Sequence, residues 1–164
     1  MAKRKAMIPL KDLQSNRFLQ GFPPKYVRQL RSIARMQEFP LATVLFRQGT
    51  EWPFVYLVLS GNVKLEVNVP GRGILPVQEV GPGELLGWSP VLGLGLMTAT
   101  ARTRSKCRLA EMEASKLLAM AETEPKFGVE FFRRTAAALA ERLCAMRLQA
   151  WGPPPPDLLG GLPK

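Results

Sequence analysis

The sequence predicts an α+β fold that is mainly β, in which short strands form a closed sandwich or roll between helical segments. From Thr43 to Met112, β-rich runs are interrupted by turns at near-regular spacing, which is typical of antiparallel sandwiches and rolls. Helical patterns flank this region but do not alternate with its strands, so a parallel sheet with crossover helices is disfavoured. With 164 residues, 46% of them hydrophobic, the chain is long enough to bury a core without disulfides or structural metal.

The first helix is predicted to begin at Pro23-Pro24, because proline is tolerated in a first helical turn. Apolar residues then recur at intervals of three and four, as they do along one face of an amphipathic helix. These residues are Tyr26, Val27, Leu30, Ile33 and Ala34. The pattern predicts that the helix ends at Glu38-Phe39-Pro40.

Two strands are the clearest in the β-rich region. Residues Val63–Val69 alternate between apolar and polar, so we expect one face in the core and the other in solvent. Residues Phe54–Leu59 are apolar on both faces, which predicts a strand that is buried on both sides. Glycine-containing turns such as Ser60-Gly61 separate these runs.

Two helices are predicted after the strands, a short one over Ala114–Ala121 and a long one from Glu124-Pro125 to about Ala150. The long helix carries a narrow apolar stripe with alternating spacings of four and three, which is typical of a coiled-coil seam. The stripe consists of Phe132, Ala136, Leu139, Leu143, Met146 and Ala150. A helix face packed on a sheet also produces an apolar stripe. The narrow seam and its place at the end of the domain favour a partner helix, and a parallel homodimer is the expected assembly.

The residue composition excludes several classes of enzyme. The chain contains no histidine, so it cannot build a Ser-His-Asp or Cys-His nucleophile or a histidine-ligated metal site. Its two cysteines, Cys107 and Cys144, are too few for a tetrathiolate site or a disulfide scaffold, and both are predicted to be buried thiols in a reducing compartment. We therefore expect a binding protein without catalytic activity, metal or cofactor.

Positive charge is concentrated at the start of the chain. The formal net charge is +10, and residues 1–35 contain nine basic residues against one acid, Asp12. This segment is either an arm that seeks phosphates or anionic lipid, or a solvated tail and helix face. The basic start is not followed by the apolar core of a signal peptide, and no run is long enough to span a bilayer. A cytoplasmic protein that does not act at a membrane is expected.

The segment Val80–Ala101 combines features of an anion-binding loop. A Gly81-Pro82-Gly83 turn leads to Gly87, a short helical turn predicted at Trp88–Leu92, a glycine-rich loop and a strand rich in threonine and alanine. Glycines allow a ligand to approach the backbone closely, and the N–H groups that open a helical turn favour an anion. The candidate ligand-binding residues are Gly83, Gly87, Trp88, Ser89, Met97, Thr98, Ala99 and Thr100.

The order of these features resembles the cyclic-nucleotide-binding domain of the catabolite-activator and protein-kinase-regulatory-subunit type. The resemblance covers residues 11–151 and is carried by Phe39–Thr50, Val55–Leu65 and Val80–Gly87, the last of which leads into the family's phosphate-binding cassette. It implies an antiparallel β-roll, jelly-roll-like and double-stranded, flanked by N-terminal helices and a long C-terminal helix. In the family that last helix is the usual dimerisation helix.

The charged ligand contacts of the family are missing from this cassette. Counting from Gly87 places Trp88 where the family has a glutamate that holds the ribose, and Met97 where it has the arginine that pairs with the cyclic phosphate. Methionine offers no donor to a phosphate, so the affinity should fall at least roughly tenfold. The pocket is then either apolar, for another ligand, or closed. The candidate replacement cations are Arg102, just beyond the cassette, and Arg142 and Arg147 on the long helix. The family's base contact falls near Met146.

The resemblance implies a regulatory or sensor domain that binds a small ligand, such as a cyclic nucleotide, and signals through its C-terminal helix. The alternatives are a ligand-free interaction module that serves as a scaffold, or a partner subunit of a transcription regulator. In the family, transcription regulators place a helix-turn-helix module after the dimer helix. Since 13 residues follow Trp151, we expect no sequence-specific DNA binding by this chain alone.

The predicted organisation has four parts. A basic tail at 1–10 precedes the β-roll and its flanking helices at 11–123. The long dimerisation helix spans 124–151, and a proline- and glycine-rich tail follows at 152–164.

Overall fold

The structure, a computed structural model, describes residues 7–152 and confirms the predicted α+β class with its antiparallel β-roll. The helices are α1 (Leu10–Gln14), α2 (Pro24–Ile33), α3 (Ala114–Thr123) and α4 (Pro125–Trp151). The strands are β1 (Ala34–Phe39), β2 (Val44–Phe46), β3 (Phe54–Ser60), β4 (Val63–Val69), β5 (Gly73–Val80), β6 (Leu85–Leu86), β7 (Thr100–Thr103) and β8 (Cys107–Glu113). Short 3-10 helices span Arg17–Leu19 and Ser89–Leu92.

The strands form two four-stranded antiparallel sheets, with orders β1-β8-β3-β6 and β2-β7-β4-β5. Strand β3 explains how the roll and the helices share one sheet. Its Tyr56 and Val58 lie in the apolar core between the sheets, whereas Val55 and Leu57 lie in a second core under the helices. Because successive side chains of a strand point to opposite faces, β3 is apolar throughout, as predicted.

The helices lie on the outer face of the first sheet, and a group of aromatic rings joins them to one another. On α4, Phe127 and Phe131 stack with ring centroids 5.7 Å apart. Phe18 meets Phe131 edge-on at 5.6 Å, and Phe22 lies 6.0 Å from Phe127. Such contacts contribute about 0.5–1.5 kcal/mol each beyond the area they bury. They hold the first half of α4 against the N-terminal helices.

The prediction that the helix beginning at Pro23-Pro24 continues to Glu38-Phe39-Pro40 was wrong. Helix α2 ends at Ile33, and the next six residues form β1, which pairs with β8 from Ala34↔Met112 to Phe39↔Cys107. Local propensity in Arg35–Glu38 does not disfavour a helix. The unpaired edge of β8 supplies backbone partners that a longer helix would leave unused, and this tertiary pairing overrides the local pattern.

Residues at both ends of the structure require further corrections. Ile8, assigned from sequence to the basic tail 1–10, is fully buried in the helical core. Residues 1–6 and 153–164, which carry the rest of the two predicted tails, lie outside the described residues. Cys107 is buried as expected, but Cys144 is exposed because the last turns of α4 extend beyond the roll. Within residues 7–152, none of the helices combines the length and hydrophobicity that a membrane crossing requires.

Candidate functional site

The candidate cassette begins where β6 leaves the sheet and turns into a short helix. The predicted helical turn is present as the 3-10 helix Ser89–Leu92. Gly87 immediately precedes it with φ of +75°, and a Cβ at this position would lie 3.2 Å from the backbone oxygen of Phe54. Glycine therefore allows both the left-handed conformation and the close approach to β3.

Six of the eight predicted cassette residues line one small cavity. They are Gly87, Trp88, Ser89, Met97, Thr98 and Ala99. Phe46, Leu65 and Leu86 complete the apolar part of its wall. The cavity measures about 30 Å³, close to the volume of roughly one water molecule in the liquid. In this conformation the cassette is closed.

Met97 accounts for much of this closure. It is 4% exposed and belongs to the apolar core between the sheets. Its backbone is held on both sides, because its N–H donates to the Thr50 carbonyl at 2.9 Å and its carbonyl accepts from Gly49 at 2.8 Å. The thioether thus occupies buried space at the position where the resemblance implies a phosphate-binding arginine.

Three predicted site residues do not line the cassette cavity. Thr100 instead accepts a hydrogen bond from the Gln48 amide at 3.0 Å, which ties β7 to the β2 turn. Gly83 lines a neighbouring groove of about 450 Å³ beside α4, together with Arg17 and Glu141. Met146 is 45% exposed and lies beyond the cavity on α4.

Arg142 reaches the cassette from α4 and is the one charged residue among the described residues that line the cavity. It is 9% exposed, and its Nη2 donates a hydrogen bond to the Leu85 carbonyl. Its Nε is buried and has no hydrogen-bond partner in residues 7–152. Burial lowers the pKa of Arg142, while the negative charges of Glu84 and Glu141 oppose that shift. A guanidinium remains charged in proteins, so a partly unsatisfied cation stands at the cassette wall.

Sequence reasoning identified Arg142 but not the groups that hold it. Leu85 contributes a backbone carbonyl, which leaves no signature in a pattern of side chains. Phe46 and Leu65 were also missed as cavity walls. As apolar residues of predicted strands, both could be expected to face inward. The sequence alone does not indicate which inward residues meet the cassette.

The predicted seam occupies a different face of α4 from the one packed on the body of the protein. The packed face carries Phe127, Phe131, Thr135 and Arg142, all buried. On the seam, Phe132 contacts the helical core and Leu139 is half-buried. The remaining seam residues are exposed, namely Ala136, Leu143, Met146 and Ala150.

Comparison with known proteins identifies the family. The family model for the cyclic nucleotide-binding domain matches residues 36–124, more than half of the 164-residue chain. The match includes the cassette and all of the roll except the first two residues of β1. This chain belongs to the cyclic nucleotide-binding domain family, as its sequence resemblance predicted.

The similar proteins include a transcriptional regulator and a catabolite activator protein. A CRP-like cAMP-activated global transcriptional regulator from Mycobacterium tuberculosis is 26% identical over 125 residues, which is 76% of this chain and 54% of that protein. The chain thus spans about half the length of the first curated relatives that it matches. The catabolite activator protein of Thermus thermophilus superposes with a TM-score of 0.67 and 28% identity, over 87% of this chain and 62% of that one.

A second solved structure supports the fold alone. A cyclic nucleotide-binding domain from Methylobacillus flagellatus covers 94% of this chain and 83% of its own, with a TM-score of 0.74 and 20% identity. Because the similarity extends over nearly the whole chain, the flanking helices belong to the shared architecture as well as the roll.

Proposed function

We propose that this chain is a regulatory domain that binds a small anionic ligand at its cassette, with Arg142 as the anion-binding cation. A cyclic nucleotide is the first ligand class to test, because the Mycobacterium tuberculosis relative is described as cAMP-activated. We further propose that the domain signals through α4, acts as a homodimer in the cytoplasm and has no catalytic role of its own.

The position of Arg142 is the observation that carries this proposal. The resemblance implies that Met97 takes the place of the family's cassette arginine, and a cation from another element lines the same cavity. Arginine suits an anionic ligand because its planar guanidinium can donate two parallel hydrogen bonds to a phosphate or carboxylate. Its buried and unpartnered Nε provides a donor that a ligand would satisfy.

Arg142 would also couple ligand binding to the position of α4. The cavity of about 30 Å³ is too small for a nucleotide, so binding requires the cassette to open. An anion that competes with the Leu85 carbonyl for Arg142 would change the contact that holds the middle of α4 to the roll. A ligand shifts such an equilibrium only by its differential affinity for the two states, and the cost of opening weakens the apparent affinity.

Calorimetry on the parent protein and Arg142→Met tests the proposal. The titrants are cyclic AMP, cyclic GMP and a cyclic dinucleotide. We expect the parent to bind at least one of them and Arg142→Met to bind it roughly ten- to a hundredfold more weakly, since a charge-assisted hydrogen bond is worth about 1.5–3 kcal/mol. Arg147→Met is the matched control, because Arg147 lies on the same helix and is exposed.

Two results would contradict this assignment. One is the absence of both heat and melting-temperature shift with every titrant, since a specific ligand stabilises the folded state by mass action. The other is equal binding by the parent and Arg142→Met. A melting curve for each variant without ligand shows whether the substitution preserves folding.

A ligand-free interaction module is the second candidate, and the closed cavity favours it. In such a module, Trp88 and Met97 would fill the former ligand site permanently and the exposed seam of α4 would bind a partner. Restoring the family's charged contacts with Trp88→Glu and Met97→Arg discriminates the two. Binding of cyclic AMP by this double variant but not by the parent would indicate an intact cassette that has lost its ligand.

A further inference from the structure

Three arginines surround a hollow on the surface of the protein, away from the cassette. The hollow measures about 520 Å³ and is lined by Met7, Arg28, Arg31, Ser32 and Arg35. None of these lining residues is acidic. Arg28 and Arg31 are one turn apart on α2, and Arg35 follows at the start of β1.

The fold holds two of these arginines in place while leaving donors available. The Nε of Arg31 donates to the Ile8 carbonyl at 2.7 Å, so its two terminal nitrogens remain available. Arg35 donates through Nη1 to the carbonyls of Ala34 and Ser32, at 3.0 and 3.3 Å. Arg28 is exposed. Positioned guanidinium groups lose less side-chain entropy when they bind than free ones do.

Within residues 7–152, no carboxylate pairs with these three arginines at salt-bridge distance. Glu111 lies opposite Arg35 in the β1–β8 ladder, but its carboxylate accepts a hydrogen bond from Gln37 at 3.0 Å. Some arginines elsewhere do have such a partner, as Arg108 has Asp12 at 2.9 Å. The positive charge around the hollow is therefore not neutralised by its described neighbours.

More positive charge lies in the sequence just before Met7, which lines the hollow. Residues 1–6 precede Met7 directly and contain Lys3, Arg4 and Lys5 with no acid. Unneutralised arginines in a concave surface are suited to phosphate groups, which they grip through paired hydrogen bonds. A basic surface next to a basic chain segment is the electrostatic pattern of a polyanion-binding site.

The exposed surface around the hollow distinguishes between polyanions. Helices that bind in the membrane interface expose large apolar side chains beside their basic residues. Among the described residues, α2 exposes no large hydrophobic side chain, and at the hollow only Met7 does so. We propose that Arg28, Arg31 and Arg35 form a binding surface for the backbone phosphates of nucleic acid, without preference for sequence. This surface is independent of the cassette and of its ligand.

The test is fluorescence anisotropy with a labelled duplex of arbitrary sequence, about 30 base pairs long, titrated with the full chain at several salt concentrations. For the variant Arg28→Gln/Arg31→Gln/Arg35→Gln, we expect weaker binding and a slope of log affinity against log salt that is less steep by about 2.7, since each lost phosphate contact removes roughly 0.9. When the salt concentration rises from about 50 to 200 mM, the parent should therefore lose ~40-fold more affinity than the variant does.

The matched control is Arg47→Gln/Arg72→Gln/Arg104→Gln, which removes the same charge from exposed arginines on the loops of the roll. Its slope should stay close to that of the parent. Because Arg31 also anchors Ile8, the variant Arg28→Gln/Arg35→Gln keeps that contact and should still lower the slope by about 1.8. Melting curves verify folding of each variant.

Three results would overturn the proposal. The first is a slope unchanged in both hollow variants, and the second is an equal loss in the control, which would indicate net charge alone. The third comes from vesicles containing phosphatidylserine: if the hollow variants lose vesicle binding but keep the parent's affinity for DNA, the surface recognises lipid.

Discussion

Gly61 lies in the turn between β3 and β4, where a backbone φ of +84° coincides with close packing. A Cβ there would lie 2.4 Å from the Lys106 oxygen and 2.7 Å from the sulfur of Cys107. It would also lie 2.9 Å from the Cα of Cys107. The Lys106 oxygen and this Cα are backbone atoms, which cannot rotate away as a side chain can. Because glycine has no Cβ, the β3–β4 turn can pack closely on the start of β8.

We predict that Gly61→Ala lowers the free energy of unfolding by about 2–4 kcal/mol, the sum of left-handed strain and a steric clash in a packed region. Gly71→Ala is the control, because Gly71 has a φ of +78° but nothing within 4 Å of its Cβ position. It should cost about 1–2 kcal/mol. Urea unfolding followed by circular dichroism measures both, and equal losses would show that the clash contributes nothing.

At the scale of elements, α4 is held to the N-terminal segment by Arg134. Its Nη1 donates to the carbonyls of Phe18 and Gln20 at 2.7 and 2.6 Å, and its guanidinium lies 4.5 Å from the ring centre of Phe22. Glu130, one turn earlier, accepts from the Nε of Arg134 at 2.6 Å. The Glu130 carboxylate therefore positions Arg134, which joins α4 to the N-terminal segment.

The pKa of Glu130 is lowered from 4.5 to about 2 by hydrogen bonds from Arg133 and Arg134. Since its pKa is lower in the folded state, the stabilisation is present above about pH 4.5 and is lost as the pH falls towards 2. We predict that Glu130→Gln lowers the free energy of unfolding by about 1 kcal/mol at neutral pH. The difference from the parent should shrink across that acid range.

Thermal melts of the parent and Glu130→Gln from pH 7 to pH 2 measure this effect. Glu141→Gln is the control, because the Glu141 carboxylate is 74% exposed and 3.9 Å from Arg17. It should behave almost as the parent does at every pH. A difference for Glu130→Gln that stays constant with pH would contradict the assigned role of its charge.

At the scale of the whole molecule, the end of α4 leaves apolar side chains in solvent. Leu143 and Met146 are 48% and 45% exposed on the seam, and Leu148 is 52% exposed on another face of the helix. Seam residues return to the same side of a helix at heptad spacing, so two copies could bury them together.

We predict a homodimer in which Leu143→Glu shifts the molecular mass towards the monomer, because a carboxylate would be buried without a partner. Leu148→Glu introduces the same charge at similar exposure outside the seam and should remain dimeric. Light scattering after size exclusion measures the mass directly. A monomeric parent protein at micromolar concentration would remove the seam hypothesis.

Much of the fold could be predicted from sequence because its pattern is local. The alternation over Val63–Val69 and the continuous apolar run at Phe54–Leu59 are both local patterns, and the corresponding strands are present. The long helix has its own apolar spacing and is also present. The boundary at Ile33 could not be predicted, since Ala34–Phe39 becomes a strand only through β8, which lies more than sixty residues away.

The sequence by itself determined the class of fold and the family, because both follow from residue types at short spacings. Only the tertiary structure decided that the cassette is closed and that Arg142 stands at its wall. That arginine is 57 positions from Leu85, whose carbonyl it binds. Contacts over such a separation depend on how α4 packs against the roll, and this packing is a property of the whole assembled core.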